Sequence, residues 1–580
     1  MAKVEMEVEE IGGPELTRRK RTQMGKESER PSSIDQGEVA LVSSNVIYRS
    51  DNWLFPALLL FRIINALVIK TFFVPDEFWQ GPEVAHRVVF GYGYLTWEWK
   101  EGLRGWTFPL IFATSYKLLA LFGIDTAKFL VVLPRVMQAC FASFGDLFLY
   151  KLAAKRFDLQ TARWTLICYL ISWFTLYCVT RTLTNSLETV LTTMALYYWP
   201  CGGQKDGIKQ TFKSLSVAAI SCIIRPTAAV MWIPLCAFYL FSLPDKLSFI
   251  VSCISPIGCL AILWSLIVNS WCCGKWTLVE LNFVKFNVIT DMGTFYGSHP
   301  WHWYFTQGFP AVMFTHLIPF FGGVYKASQK QQTLALLILW SIIVYSFLGH
   351  KEFRFIFPVV PLAMCYCGFF LSFLSGYQCE KKDHAFEDGF SRKVKSGWKA
   401  KMMVLFLVLT SIPLAIYTST VHQKGTIDVM EYIQSESSKL RNTNDMSVLF
   451  LMPCHSTPFY SFVHRNISMR FLECPPSAEP GYIDEADQFY RHPTSWLSEQ
   501  FRDHRIPSGH QGEPHHLPSH LVLFNVLLQS ISKWLEHFHY KEVTSFDNQT
   551  ICNLKFLILA SYLFASYVVF HRYPFLFHIT

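Results

Sequence analysis

Residues 334–374 read LALLILWSIIVYSFL, then GHKEFR, then FIFPVVPLAMCYCGFFLSFL. A helix rising about 1.5 Å per residue crosses ~30 Å of hydrocarbon in roughly 20 residues, so the second apolar run is long enough to span a bilayer. The insert between the runs puts His350, Lys351, Glu352 and Arg354 in a short turn. Ionisable groups pressed between spans must be solvated, paired or bound to an anion. The same alternation of long apolar runs and short polar turns recurs through most of the chain.

Composition agrees. Of 580 residues, 51% are hydrophobic and 16% charged, against roughly 25% charged in soluble domains. A set of soluble domains, a disordered chain and a disulfide-rich secreted scaffold are excluded, and a polytopic membrane protein remains. Apolar runs lie at Leu54–Val74, Val131–Leu149, Trp164–Val179, Leu187–Trp199, Leu215–Leu240 (interrupted by Arg225-Pro226), Leu247–Val268, Phe309–Val324, Leu334–Leu348, Phe355–Leu374 and Met402–Tyr417. The net charge of +8 then reads as a loop asymmetry that orients spans, not as a nucleic-acid signal.

Loops holding Lys151, Lys155 and Arg156, then Lys205, Lys209 and Lys213, then Lys326 and Lys330, then the Lys381–Lys401 stretch, alternate with aromatic, His-rich segments. The positive-inside bias places the basic set in the cytosol. Residues 1–50, polar and without an apolar signal-peptide core, read as a disordered cytosolic tail. Residues 418–546 then fall on the luminal side. They hold the sequon at Asn466 and the pair Cys454 and Cys474, candidates for a disulfide in an oxidising compartment. A second sequon starts at Asn548. The 547–580 tail carries a further apolar run, and 556–577 is either one more span or an interfacial helix. No Cys or His spacing resembles a zinc site.

The unusual residues collect on the luminal side. Asp76 and Glu77 follow the first span, where falling dielectric can tune a general base; the alternative is that they cap a short interfacial helix. Gln80, Trp97 and Glu98 belong to the same segment. Arg181 and Glu188 either pair with each other or line a polar cavity. Arg225 costs at least ~2.5 kcal/mol at a helix centre, so it faces a cavity or the interface. His299 and His302 sit in an aromatic loop that is either a sugar-stacking surface or an interfacial belt. Lys351 and Arg354, three apart, would share one face of a helical turn and suit a phosphate, with Glu352 orienting one of them.

The run His350-Lys351-Glu352-Phe353-Arg354-Phe355 resembles the HKEXRF motif of the dolichyl-phosphate-mannose-dependent mannosyltransferases of glycosyltransferase family 22. Pro75-Asp76-Glu77 with Gln80, Thr96–Trp99 and Arg181–Glu188 match that family in order, and Leu451–Tyr460 with Glu473–Pro476 and Tyr482–Asp487 is similar to its branch acting on the glycosylphosphatidylinositol (GPI) precursor. The resemblance covers roughly residues 50–545. It implies an all-α polytopic membrane protein of the GT-C fold, with about 10–12 transmembrane helices and a smaller luminal C-terminal α/β region. The implied reaction moves mannose from dolichyl-phosphate-mannose, with inversion, onto a GPI glycolipid bearing two mannoses, as the α-1,2-linked third mannose, at the endoplasmic-reticulum membrane. The resemblance assigns Asp76 as base, with Glu77 orienting it or touching the acceptor. It assigns His350, Lys351 and Arg354, helped by Arg225, to the departing dolichyl phosphate. It implies no cofactor and no metal, since Asp76-Glu77 is not the DxD spacing of metal-dependent enzymes. The alternatives are a sibling enzyme of N-glycan precursor assembly and a lipid-linked sugar transporter.

Overall fold

The helix Leu54–Val68 carries Arg62 in the middle of its apolar sequence. Its Nε and Nη2 donate to the Asp146 carboxylate at 2.7 and 2.8 Å, and neither side chain has any exposure. Each charge is the other's solvent, which lets both sit inside the membrane-spanning layer. The structure, a computed structural model, describes residues 53–200, 207–290, 292–329, 331–376, 397–477, 479, 481–501, 517–546 and, as backbone, 574–579. The 1–50 tail, Lys205, Lys330, most of the Lys381–Lys401 loop, and Asn548 with the following tail to residue 573 lie outside them.

Among the described residues five helices are long and apolar enough to cross a membrane: Ala127–Arg156, Lys246–Cys273, Tyr304–Lys326, Phe353–Leu374 and Trp398–Lys439. Shorter apolar helices include Leu54–Val68, Thr107–Leu121, Pro226–Ser242 and Thr333–Phe347. The chain is a multi-pass membrane protein. Its helical core is built on Phe174, Ile356, Phe357, Leu362 and Met364, all essentially unexposed.

Two elements depart from the sequence reading. Thr107–Leu121 is an apolar helix where no span was expected. The Trp106 N–H before it bonds Asn269 Oδ1 (2.9 Å), and Asp125 beyond it lies 3.7 Å from His464 of the C-terminal domain. Both ends therefore stay at the end of the bundle that carries that domain, and the helix adds no crossing. The run Leu215–Leu240 is two helices, Gly207–Ile224 and Ala229–Ser242, rather than one interrupted span. Ser214 bonds the Ala195 carbonyl (2.7 Å) and Arg225 reaches Thr184 (3.2 Å), so the first helix runs antiparallel to Thr184–Tyr198. The second returns until Tyr239 lies 5.4 Å from Trp199. Arg225 thus occupies the turn, and Pro226 starts the next helix where a missing N–H costs nothing.

The C-terminal region contains a five-stranded sheet of order β2-β1-β3-β5-β4, formed by Ser447–Leu451 (β1), Ser468–Phe471 (β2), His520–Phe524 (β3), Tyr540–Ser545 (β4) and Pro574–Ile579 (β5). β1 is parallel to β2 and β3, whereas β5 is antiparallel to β3 and β4. Continuous apolar strands suit a sheet covered on both faces. Val448, Phe450 and Val522 pack toward Ile427 and Ile433 of the helix Gly425–Lys439, while Leu449, Leu451 and Leu521 pack toward Ile531 and Trp534. The first cluster also includes Phe72, Phe78 and Trp79, which docks the sheet domain onto the segment holding Asp76. β5 takes Pro574–Phe577 out of the span proposed for 556–577 and places it in this sheet.

Candidate active site

Pro75 opens one helical turn, Asp76–Trp79, directly after the first apolar run. That turn sends the two adjacent carboxylates in opposite directions. Glu77 points inward, with no exposure, to Arg181 at 2.7 Å and Arg135 at 3.4 Å. Arg181 also donates to the Thr71 carbonyl and hydroxyl and to the Tyr177 carbonyl (2.7 Å each), and Thr182 Oγ1 donates to the Glu77 carbonyl (2.5 Å). Glu77 is thus a buried anchor of the turn, bonded to two guanidiniums in the interior rather than lining the cleft next to it. Of the two alternatives for Arg181 and Glu188, pairing with each other does not occur: Arg181 serves Glu77, and Glu188 lies 3.3 Å from Arg225 and lines a cavity with Thr192 and Tyr345.

Asp76 keeps 18% of its side-chain surface and pairs with Arg354. The Arg354 fork also clasps Glu352, with Nε to Oε2 at 2.6 Å and Nη2 to Oε1 at 2.7 Å. Charge-assisted, two-point geometry of this kind fixes a guanidinium in direction as well as place. His350 bonds Glu352 (3.0 Å) through one ring nitrogen and the Gly297 carbonyl (3.0 Å) through the other. Burial alone would push Asp76 up; the charges of Arg354 and Arg104 outweigh it and hold the carboxyl below the usual carboxylate range. Burial acts the same way on Glu352 and is likewise overcome, by Arg354 and His350.

Lys351 departs from the paired-donor expectation. It is 2% exposed, and its ammonium is held by the carbonyls of Leu348, His299 (2.8 Å) and Gly349 (3.5 Å). Lys351 and Arg354 therefore point to different places: the first pins the aromatic loop to the turn, and only the second faces Asp76. His299 stacks on Trp303 (4.7 Å), while His302 is exposed beside Thr306 and stays outside the cluster. Trp97 packs between Phe286 (5.5 Å) and Tyr296 (6.3 Å).

Next to the Asp76–Trp79 turn lies a cleft lined by Gln80, Trp99, Arg104, Thr184, Arg225 and Phe283, among others. Arg104 is anchored to Glu98 at 2.6 and 3.1 Å. Arg225 and Arg354 lie over the Phe355 ring, at 5.1 and 5.5 Å from its centroid. Both amide atoms of buried Gln80 have no hydrogen-bond partner among the described residues. Arg104 and Arg225 line this cleft while Arg354 shares the Phe355 ring with Arg225, so three guanidiniums cluster next to the Asp76 turn, an arrangement suited to a phosphate or another anion. Arg104 and Arg135 were not singled out from the sequence. Each is a lone cation whose partner lies on another segment or past a turn.

In the C-terminal domain, Cys454 and Cys474 form a disulfide, and Asn466 is exposed just before β2. Glu83, fully buried, receives the N–H groups of Phe459 (2.7 Å) and Ser461 (3.1 Å) and the Ser461 hydroxyl (2.5 Å), clamping that domain to the segment after Asp76.

The Alg9-like mannosyltransferase family model matches residues 53–464. The chain is 45% identical to the mouse protein named GPI alpha-1,2-mannosyltransferase 3, over 84% of each chain. It is 44% identical to Mannosyltransferase APTG1 of Arabidopsis thaliana, over 84% of this chain and 87% of that one. The crystal structure of ArnT from Cupriavidus metallidurans bound to undecaprenyl phosphate aligns with TM-score 0.52 at 9% identity, covering 92% of this chain and 99% of that one, which shows a shared membrane fold. With a family match over most of its length and relatives this similar, the chain belongs to the Alg9-like mannosyltransferase family.

Proposed function

We propose that this chain adds the third, α-1,2-linked mannose to a GPI precursor bearing two mannoses, taking it from dolichyl-phosphate-mannose on the luminal side of the endoplasmic-reticulum membrane. The observation that carries the reading is Asp76 paired with Arg354 at the edge of a cleft lined by Arg104 and Arg225. Asp76 takes the proton from the acceptor hydroxyl as that oxygen attacks the anomeric carbon and the bond to phosphate breaks, so a β-linked donor yields an α-linked product. Negative charge grows on the leaving phosphate, and Arg354, Arg225 and Arg104 face the place where it grows. Three guanidiniums supply the charge compensation for which nucleotide-sugar enzymes use a divalent ion, so the reaction needs no metal or other cofactor. Arg354 changes partner on the way: donor phosphate draws the guanidinium off Asp76 and leaves the carboxylate a stronger base. Membership of the mannosyltransferase family weighs against the transporter alternative.

The test is expression in cells lacking the third GPI mannosyltransferase. The proposal predicts that the two-mannose intermediate disappears and surface GPI-anchored proteins return. Persistence of that intermediate at normal expression contradicts it.

A further inference from the structure

The loop after β1, Met452–Phe459, lies against the Asp76–Trp79 turn: Trp79 Nε1 donates to the Thr457 carbonyl at 3.0 Å. β1 is parallel to both of its sheet neighbours, and such sheets present ligand-binding loops beyond the carboxyl ends of their strands. The disulfide joins this loop to the segment after β2, the adjacent strand. Between the two, His455 has φ +60°, in the left-handed region that a non-glycine residue rarely enters without a reason. Its ring is held between Trp79 (4.8 Å) and Phe471 (5.0 Å). No hydrogen bond to that ring is present among the described residues, and the residue is half-buried rather than enclosed. Burial pushes its pKa down to about 4 against the pull of Asp76, so the imidazole is neutral and offers one donor and one acceptor.

We propose that His455 is an acceptor-binding residue, contributed by the C-terminal domain, whose imidazole hydrogen-bonds a hydroxyl of the sugar that receives the mannose. The disulfide and the left-handed backbone hold an otherwise unpartnered polar ring over the turn that carries the base. This deepens the proposed function and rests on it: the ligand is the glycan end of a neutral-sugar glycolipid arriving at Asp76. The ring itself takes no part in bond making.

The test uses the full-length protein in membranes with dolichyl-phosphate-mannose and a synthetic two-mannose GPI acceptor. His455→Phe keeps a ring between Trp79 and Phe471 but removes both hydrogen-bonding atoms. Its KM for the acceptor glycolipid should rise about 10-fold, the scale of one lost hydrogen bond, while its KM for the donor stays unchanged. His455→Asn, which tolerates the left-handed backbone and keeps a donor and an acceptor, should recover much of the loss. An unchanged acceptor KM in His455→Phe overturns the assignment, as does an equal rise in both KM values or a fall in kcat alone. A wild-type protein that fails to use this acceptor at all defeats the proposed function itself, a separate result.

Discussion

Asp76 and Arg354, 278 residues apart, meet as an ion pair where the first apolar run ends and the Gly349–Arg354 turn gives way to the next apolar run. Arg354 reaches that position because Glu352 grips it from the other side and His350 holds Glu352. The chain orders one carboxylate through a cation that a second carboxylate has already fixed.

Asp76→Asn keeps the volume and removes the base. Turnover should fall about 10²–10⁴-fold, the contribution general bases make, with expression retained and only a small fall in melting temperature, since Glu352 still holds Arg354. Glu77→Gln should instead lower the melting temperature, since it leaves Arg181 and Arg135 facing a neutral partner inside the protein. Mannosyl transfer and thermal unfolding, measured on both variants, separate the two roles.

The pH profile follows from the sign of the Asp76 shift. A carboxyl held low is ionised, and able to accept a proton, at every pH above its depressed value; activity is lost only as pH falls through that value. The acid limb of kcat/KM should therefore lie below about pH 4, the ordinary carboxylate range. Arg354→Gln removes the largest stabilising charge and should move that limb upward.

Arg104 and Arg225 face the cleft rather than Asp76 directly. Arg104→Ala should raise KM for dolichyl-phosphate-mannose about 10–100-fold, in keeping with a lost hydrogen bond to a charged group, and leave KM for the glycolipid unchanged. Because cationic side chains do this work, EDTA should leave the rate intact; loss in EDTA restored by a divalent ion contradicts the metal-free mechanism.

The Arg62–Asp146 pair predicts a stability effect away from the site. Asp146→Ala strands a guanidinium in the membrane-spanning core and should cost about 3–5 kcal/mol, whereas replacing both residues with leucine should restore much of it. Thermal melting of the purified variants reads both.

Much of the site was legible because charge beside apolar runs is rare. Asp76, Arg354, Glu352 and Arg225 stand out on that ground, and the structure gathers all four. Direction was not legible: adjacency cannot say that Asp76 faces the cleft and Glu77 the interior, nor that Lys351 turns to backbone carbonyls while Arg354 does not, since helical spacing does not hold through an irregular turn. The Arg62–Asp146 pair is not legible in the sequence because each is one charge in a long apolar stretch, its partner 84 residues away. The resemblance implies a C-terminal α/β region and the structure has one, but β1 and β3 are short apolar runs that periodicity cannot assign to strand or helix, so their positions are visible only in the sheet. The Leu215–Leu240 run was long enough for one span, and only the contacts of Ser214 and Tyr239 reveal a reversal at Arg225.

The most direct measurement of the central claim is linkage analysis of the product made by the purified full-length protein from dolichyl-phosphate-mannose and a two-mannose GPI acceptor. The account predicts a single added mannose, in α linkage, removable by an α-1,2-specific mannosidase, and no product with Asp76→Asn. Transfer only to a dolichol-linked N-glycan precursor, or full activity in Asp76→Asn, would contradict it.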